Sequence, residues 1–389
     1  MQVAVVTLPL WGNYGGILQN YALCHVLKNI GHDPVTLRWA DTKYRLVLYK
    51  QPFVYAKRIL QGKEVLYERR LAREYPLVFA ALHEFVRKYI PQTDFVLETP
   101  QQARDYLVGN DIQALVFGSD QIWRKNYSDT SVFNRLLPQH IFPTLYDYFG
   151  AFAETLDVRR ISYAASFGVD YSEYSTDEKE IVKRLISSFD AVSVREDGAL
   201  SLICDHYRWN RKPDVVLDPT LLLNRADYKL LTDKANTVRP EGNIFAYILD
   251  ENADTQRHLA DVAHTLTGKI YTCVMHWKDG RIPLAQRIMP SVEQWLRNFA
   301  DADMVLTDSF HAVVFSIIFN KRFVVLGNAM RGNSRFTSLL DRLGLSERLC
   351  PEWSKVPYCM RMPIDWNDVN ERLQKERAQS MQFLINSLT

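Results

Sequence analysis

The chain has 389 residues, 47% hydrophobic and 24% charged, with a formal net charge of +2. That length exceeds one ordinary core and predicts two α/β domains meeting at a cleft, while the composition excludes a disordered or fibrous chain and the small net charge gives no global field for nucleic acid. Five scattered cysteines without a CxxC pair, an amino terminus that runs straight into an apolar strand, and no apolar run near ~20 residues predict a reducing compartment, no secretory leader and no membrane span. The expected location is cytoplasmic, with membrane association at most peripheral.

A buried strand is predicted at Gln2–Thr7, then a turn rich in Gly and Asn, then a helix whose apolar face carries Leu23, Val26, Leu27 and Ile30. Gly31 stands where a helix C-cap glycine belongs, and a second strand follows at Pro34–Trp39, which opens a βαβ fold. Residues 43–73 hold nine Lys or Arg against Glu64 and Glu68, among Tyr44, Tyr49, Phe53, Tyr55 and Tyr67. This basic insertion reads first as a solvated segment with helical character, and second as a face for anionic lipid or a diphosphate. Strands at Ile112–Phe117, Ile161–Ala165 and Ala191–Val194, separated by helices such as Thr176–Ser188, predict a parallel sheet wrapped by helices.

The junction is expected within residues 212–242, where Pro213, Pro219 and a short strand precede a polar stretch without periodicity, so the first domain is assigned to residues 1–225. The second, residues 226–365, repeats the order of elements, with strands at Ile244–Leu249, Lys269–Met275, Met304–Thr307 and Arg322–Leu326. Helices are predicted there at Asp254–Leu266, Ser291–Phe299, Ala312–Phe319 and Ser334–Leu343. A terminal amphipathic helix at Asp365–Leu388 is expected to lie back across the first domain, which assigns residues 366–389 to that packing.

Polar clusters fall at the carboxyl ends of these strands, the edge where open α/β sheets bind ligands. Gly12-Asn13-Tyr14-Gly15-Gly16 joins a strand to a helix and offers backbone amides to an anion, or simply lets the chain turn. Gln19 and Asn20 can present amides to sugar hydroxyls. Asp120, within Gly118-Ser119-Asp120-Gln121-Ile122-Trp123, can bind or deprotonate a hydroxyl, or cap a helix. Arg195 suits a bidentate grip on carboxylate or phosphate, or a surface ion pair with Glu196 or Asp197. His311, in Thr307-Asp308-Ser309-Phe310-His311-Ala312, is an acid/base candidate or a structural histidine, with Asp308 or Ser309 as the helix cap. Arg335, after Asn333-Ser334, presents a cation near a helix start. His25, His83, His206 and His264 lack ligand spacing, so no metal is expected.

Together and in this order the segments Gly12–Leu23, Gly118–Trp123, Val192–Asp197, Leu217-Asp218-Pro219-Thr220 and Thr307–Ala312 resemble the polysaccharide pyruvyl transferase family. The resemblance implies two Rossmann-like domains with a cleft between them, similar to the GT-B glycosyltransferase architecture, and phosphoenolpyruvate as donor substrate with no further cofactor. It implies a sugar acceptor, in a polysaccharide or lipid-linked precursor, that receives the pyruvyl group as a cyclic ketal. By matching position His311 is catalytic and Arg195 binds the donor, and Asp120 is placed beside the acceptor. Several members read Ser-Arg before the aromatic-His pair where this chain has Asp308-Ser309, so Ser309 is placed in the donor site and Arg335 or a backbone nest is expected to neutralise part of the phosphate. Asn13, Tyr14, Gly15, Gly16, Gln19 and Ser119 are assigned to the acceptor side. Two rival readings stand beside this one. A nucleotide-sugar glycosyltransferase would recruit Glu293 and Trp295 for ribose and base, and a non-catalytic sugar-binding relative would release no phosphate.

Overall fold

The structure is a computed structural model that describes residues 1–39, 51–61, 64–118, 120–125, 142–207, 212–327 and 333–389. Ser119 and much of the basic stretch 43–73 lie outside the described residues. The first sheet contains β1 (Gln2–Val6), β2 (Asp33–Thr36), β3 (Ala114–Phe117), β4 (Arg159–Ala165), β5 (Ala191–Val194) and β6 (Asp214–Val215), in the order β2-β1-β3-β4-β5-β6. The second contains β7 (Ile244–Tyr247), β8 (Ile270–Tyr271), β9 (Met304–Thr307), β10 (Arg322–Leu326) and β11 (Leu349–Cys350), in the order β11-β10-β9-β7-β8. Every pairing is parallel.

Apolar runs explain this layering. In β1, Val3 and Val5 join the core under the helix Tyr14–Asn29 while Ala4 and Val6 join the core on the opposite face. Successive side chains in a strand point to opposite faces, so a continuous apolar run requires cover on both sides. The helix Tyr14–Asn29 ends before Gly31, whose φ of +90° lets the chain reverse into β2 without a Cβ clash.

Some elements differ from the sequence expectations. The strand expected at Lys269–Met275 shortens to Ile270–Tyr271, and β11 was too short to show a period. The helix expected from Ala312 begins at Phe310, which puts His311 in its first turn.

Several contacts join the halves. The core that includes Val3 and Val5 continues through Trp295 and Phe315 of the second half, where Tyr14 stacks on Trp295 with ring centres 5.3 Å apart. The helix Tyr67–Val78 forms a strap: Glu74 is held by both Arg70 and Arg287 at 2.7 Å, and the Met289 amide donates to the Val78 carbonyl at 2.9 Å. At the junction, the helix Arg225–Asp233 is capped by Asn224 and packs on the helix Val292–Asp301. The final helix, Trp366–Leu388, lies across the first half: Ser380 Oγ accepts from the Leu217 amide at 2.9 Å, and Arg377 donates to the carbonyls of Leu221 and Leu223.

Candidate active site between two carboxyl edges

In each sheet the strand order reverses once, between β1 and β3 in the first and between β7 and β9 in the second. Such switch points leave a crevice beyond the carboxyl ends of the strands. Asn13 and Asp120 face each other across the first one. Asn13, extended at φ −108°, caps the helix Tyr14–Asn29 by accepting from the Gly15 amide at 3.0 Å, and its Nδ2 donates to Asp120 Oδ2 at 3.4 Å. Asp120 itself has φ +71°, and its carbonyl accepts from the Ser166 amide beyond β4. A left-handed aspartate held by a neighbouring strand end points its carboxylate at the crevice instead of capping a helix.

Across the second switch point, Asp308 accepts from the amides of Leu249 at 2.7 Å and Asp250 at 2.9 Å, so it ties the loop after β7 to the end of β9. Ser309 takes the N-cap position, and its amide donates to Thr307 Oγ1 at 2.9 Å. This is a brace for the helix Phe310–Ile318, and it sets where His311 emerges.

Asp218, at the end of the segment after β6, is the hub. Its side chain is fully buried; Oδ1 accepts from the amide and the hydroxyl of Thr220 at 3.0 and 2.6 Å, and Oδ2 accepts from Arg195 Nη1 at 2.9 Å and from Gln19 Nε2. His311 Nε2 lies 3.8 Å from the same oxygen. Arg195 is therefore no surface ion pair: it is 5% exposed, its Nε lies 3.5 Å from Glu196 Oε2, and its guanidinium sits 4.5 Å from the centre of the Phe310 ring. Asp197 is engaged elsewhere, by the hydroxyl of Ser338 at 2.8 Å. Arg335 reaches the same ring, at 5.9 Å, so two guanidiniums gather on one aromatic side chain.

His311 is 8% exposed, and its Nε2 has no hydrogen-bond partner among the described residues; the same holds for Arg195 Nη2. Gly15 explains how the imidazole fits. A Cβ on that residue would stand 2.0 Å from His311 Nδ1, so the first helix of one half touches the catalytic candidate of the other through bare backbone.

Burial lowers the His311 pKa, Asp218 and Asp120 push it up, Arg195 and Arg335 push it down, and the balance lies below the ordinary imidazole value. The ring is neutral at neutral pH. For Asp218, burial works to raise the pKa, but His311, Arg195 and Thr220 outweigh it and hold the carboxyl below its ordinary range. Arg195 is pulled down by burial and held up more strongly by Asp218, Glu196 and Asp120.

Asp120, Arg195, His311 and Arg335 thus converge, with Asn13 and Gly15 shaping the floor. Other expected residues are engaged within the fold. Gln19 is spent on Asp218, and Asn20 accepts from Thr36 Oγ1 at 2.8 Å. Tyr14 donates to the Pro290 carbonyl at 2.7 Å and is stacked between the halves, while a Cβ on Gly16 would meet only Asn13 and Asp120, at 3.6 Å. Trp295, considered for base stacking, is fully buried against Phe299 and Phe315, and Glu293 on the same helix is buried too. Asp218 and Phe310 are the members that sequence reasoning left without a role, and Glu196 was expected only as a surface ion-pair partner of Arg195; the clue for Asp218 was its position just past a strand, before proline. In the basic stretch, Arg58 stacks over Tyr67 at 4.7 Å and Arg70 is bound by Glu64, Glu74 and the Lys278 carbonyl, so part of that charge is consumed within the fold. No helix among the described residues is long and apolar enough to cross a membrane.

Two parallel α/β halves whose carboxyl edges face a shared crevice define the GT-B class of architecture, found in glycosyltransferases and sugar epimerases. The UDP-GlcNAc 2-epimerase from Neisseria meningitidis superposes with a TM-score of 0.54 at 10% identity, covering 100% of this chain and 99% of that one. Acinetobacter baumannii MurG gives 0.47 at 10% identity, over 99% of this chain and 98% of that one. At that identity the epimerase likeness establishes the fold alone. No curated protein matches the sequence. The polysaccharide pyruvyl transferase family model matches residues 13–329, from the capping asparagine to just past β10, and the chain belongs to that family.

Proposed function

We propose that the protein transfers the pyruvyl group of phosphoenolpyruvate onto two hydroxyls of a sugar, in a polysaccharide or its lipid-linked precursor, as a cyclic ketal. One observation carries the reading: Arg195 Nη2 and His311 Nε2, a buried cationic donor and a buried titratable nitrogen, both lack a hydrogen-bond partner among the described residues and share contact with Asp218 at the crevice between the halves. Buried polar groups are normally paired, and unpaired ones at a crevice point to a ligand. An anion with both a carboxylate and a phosphate suits Arg195 and Arg335 together. Family membership supports the same donor.

In this reading the protonated His311 Nε2 gives its proton to the methylene carbon of the donor. Electron demand at C2 draws in one sugar hydroxyl oxygen, the C–O bond to phosphate breaks, and the second hydroxyl closes the ring. Of the two hydroxyl protons, one makes up the new methyl group through His311 and the other leaves on phosphate, so atoms and charge balance. Asp120, held by Asn13, sits where it can accept a hydroxyl proton or orient the acceptor. Because Arg195 and His311 are so little exposed, substrates enter when the two carboxyl edges part and react when they close.

Incubating the protein with phosphoenolpyruvate and a panel of free, nucleotide-linked and lipid-linked sugars tests this directly. Phosphate release matched by the mass of a pyruvate ketal on one acceptor is the expected result. Transfer of a sugar from a nucleotide donor, or no phosphate release with any acceptor, would overturn it.

A further inference from the structure

The charges acting on His311 come from four elements. Asp218 follows β6, Asp120 follows β3, Arg195 follows β5, and Arg335 opens the helix Ser334–Arg342. Formally these are two carboxylates against two guanidiniums, so the cluster is balanced around an uncharged imidazole. Into it must come a donor that carries a carboxylate and a phosphate. Such an anion leaves that balance negative unless the site gains a positive charge, and the imidazole is the group able to supply it.

We infer that the anionic donor and a proton enter this site together, with His311 taking up the proton and Asp218 acting as the positioning residue that holds the imidazolium. The inference rests on reading the donor as phosphoenolpyruvate and deepens it: the acid that starts the reaction is loaded by the substrate that consumes it. The geometry is prepared for this change. A separation of 3.8 Å between Nε2 and Asp218 Oδ2 is too long for a hydrogen bond but within reach of a charge contact, which a small closing movement strengthens while the Nε2 proton stays directed at the donor. Asp218 is fixed by Thr220, Gln19 and Arg195, so the imidazole is the partner that moves. The pair also spans the crevice, since Asp218 belongs to the first half and His311 to the second. Without the anion, burial and the positive end of the helix Phe310–Ile318 keep the ring neutral. Proton uptake is thereby tied to closure over the donor.

Calorimetric titration of the protein with phosphoenolpyruvate, without acceptor, at pH 7.5 in buffers of different ionisation enthalpy reads the coupling. On the order of one proton should be taken up for each donor bound. In His311→Asn the uptake should vanish while binding persists. In Asp218→Asn, the donor-bound His311 midpoint, followed by nitrogen NMR and assigned by its loss in His311→Asn, should fall by roughly one unit, about a tenfold change in proton affinity. If Asp218→Asn does not fold, Thr220→Val, which frees the carboxylate to turn, should lower the same midpoint. Donor binding with no buffer dependence, or equal uptake in His311→Asn, overturns the coupling; an unmoved midpoint overturns the part given to Asp218. Ketal formation without proton uptake would sink this inference alone, whereas proton-coupled binding with no ketal from any acceptor would sink only the functional reading.

Discussion

Replacing Gly15 by alanine is the sharpest single test of the site's geometry. The added methyl would stand 2.0 Å from His311 Nδ1 and 2.3 Å from its Cγ, where unstrained contacts need about 3.5 Å, so one partner must retreat by roughly 1.5 Å. Backbone yields little here, because the Gly15 amide is held by Asn13 and the chain continues into sixteen residues of helix. The imidazole therefore moves. A misplacement of about 1 Å at a reacting group can cost ~10²-fold, equivalent to ~2.7 kcal/mol on the barrier. Stability should change less, since overpacking at ~1–3 kcal/mol is offset by the ~1 kcal/mol that alanine gains over glycine in a helix. Single-turnover ketal formation beside a thermal melt separates the two effects. Gly16→Ala serves as the folding control: its new methyl would meet only ordinary contacts at 3.6 Å, and it should melt no lower than the parent. A Gly15→Ala protein with parental turnover would mean that the chemistry does not depend on where His311 sits.

Other outcomes follow from the same contacts. Arg195→Ala should weaken phosphoenolpyruvate binding by ~2 kcal/mol or more, roughly thirtyfold by calorimetry, and Arg195→Lys should recover little because an ammonium lacks the fork that spans Asp218 and a ligand; unchanged affinity would remove Arg195 from the donor site. His311→Asn should lower turnover by roughly 10²-fold with the melting temperature retained, and near-parental turnover would reassign the proton transfer. The strap has its own pH signature. Arg287 and Arg70 hold the Glu74 carboxyl down at about 2, so its stabilising contribution is complete above the ordinary glutamate value and is lost as pH falls from there toward 2. Urea midpoints measured across that window should flatten in Glu74→Gln; an unchanged slope would show that the strap does not hold the halves together.

Much of the fold was legible because parallel strands buried on both faces read as short apolar runs, as Val3–Val6 and Met304–Leu306 do, and because the polar clusters that follow them mark carboxyl ends. The motif order that carries the family resemblance is likewise a property of the chain alone. Which partner each polar side chain meets is not. Arg195 and Asp218 pair because β5 and β6 lie side by side, and Gln19 joins them because the first helix packs over that part of the sheet. Gly15 looks in the sequence like an aid to turning, yet its missing side chain is what admits a histidine 296 residues further along the chain. Trp295 and Tyr14 look available to a ligand until the docking of the halves buries them against each other. Periodicity and turn chemistry are short-range signals within a few residues; the charge balance around His311 depends on strand order and on how two domains close, and only the tertiary structure decides those.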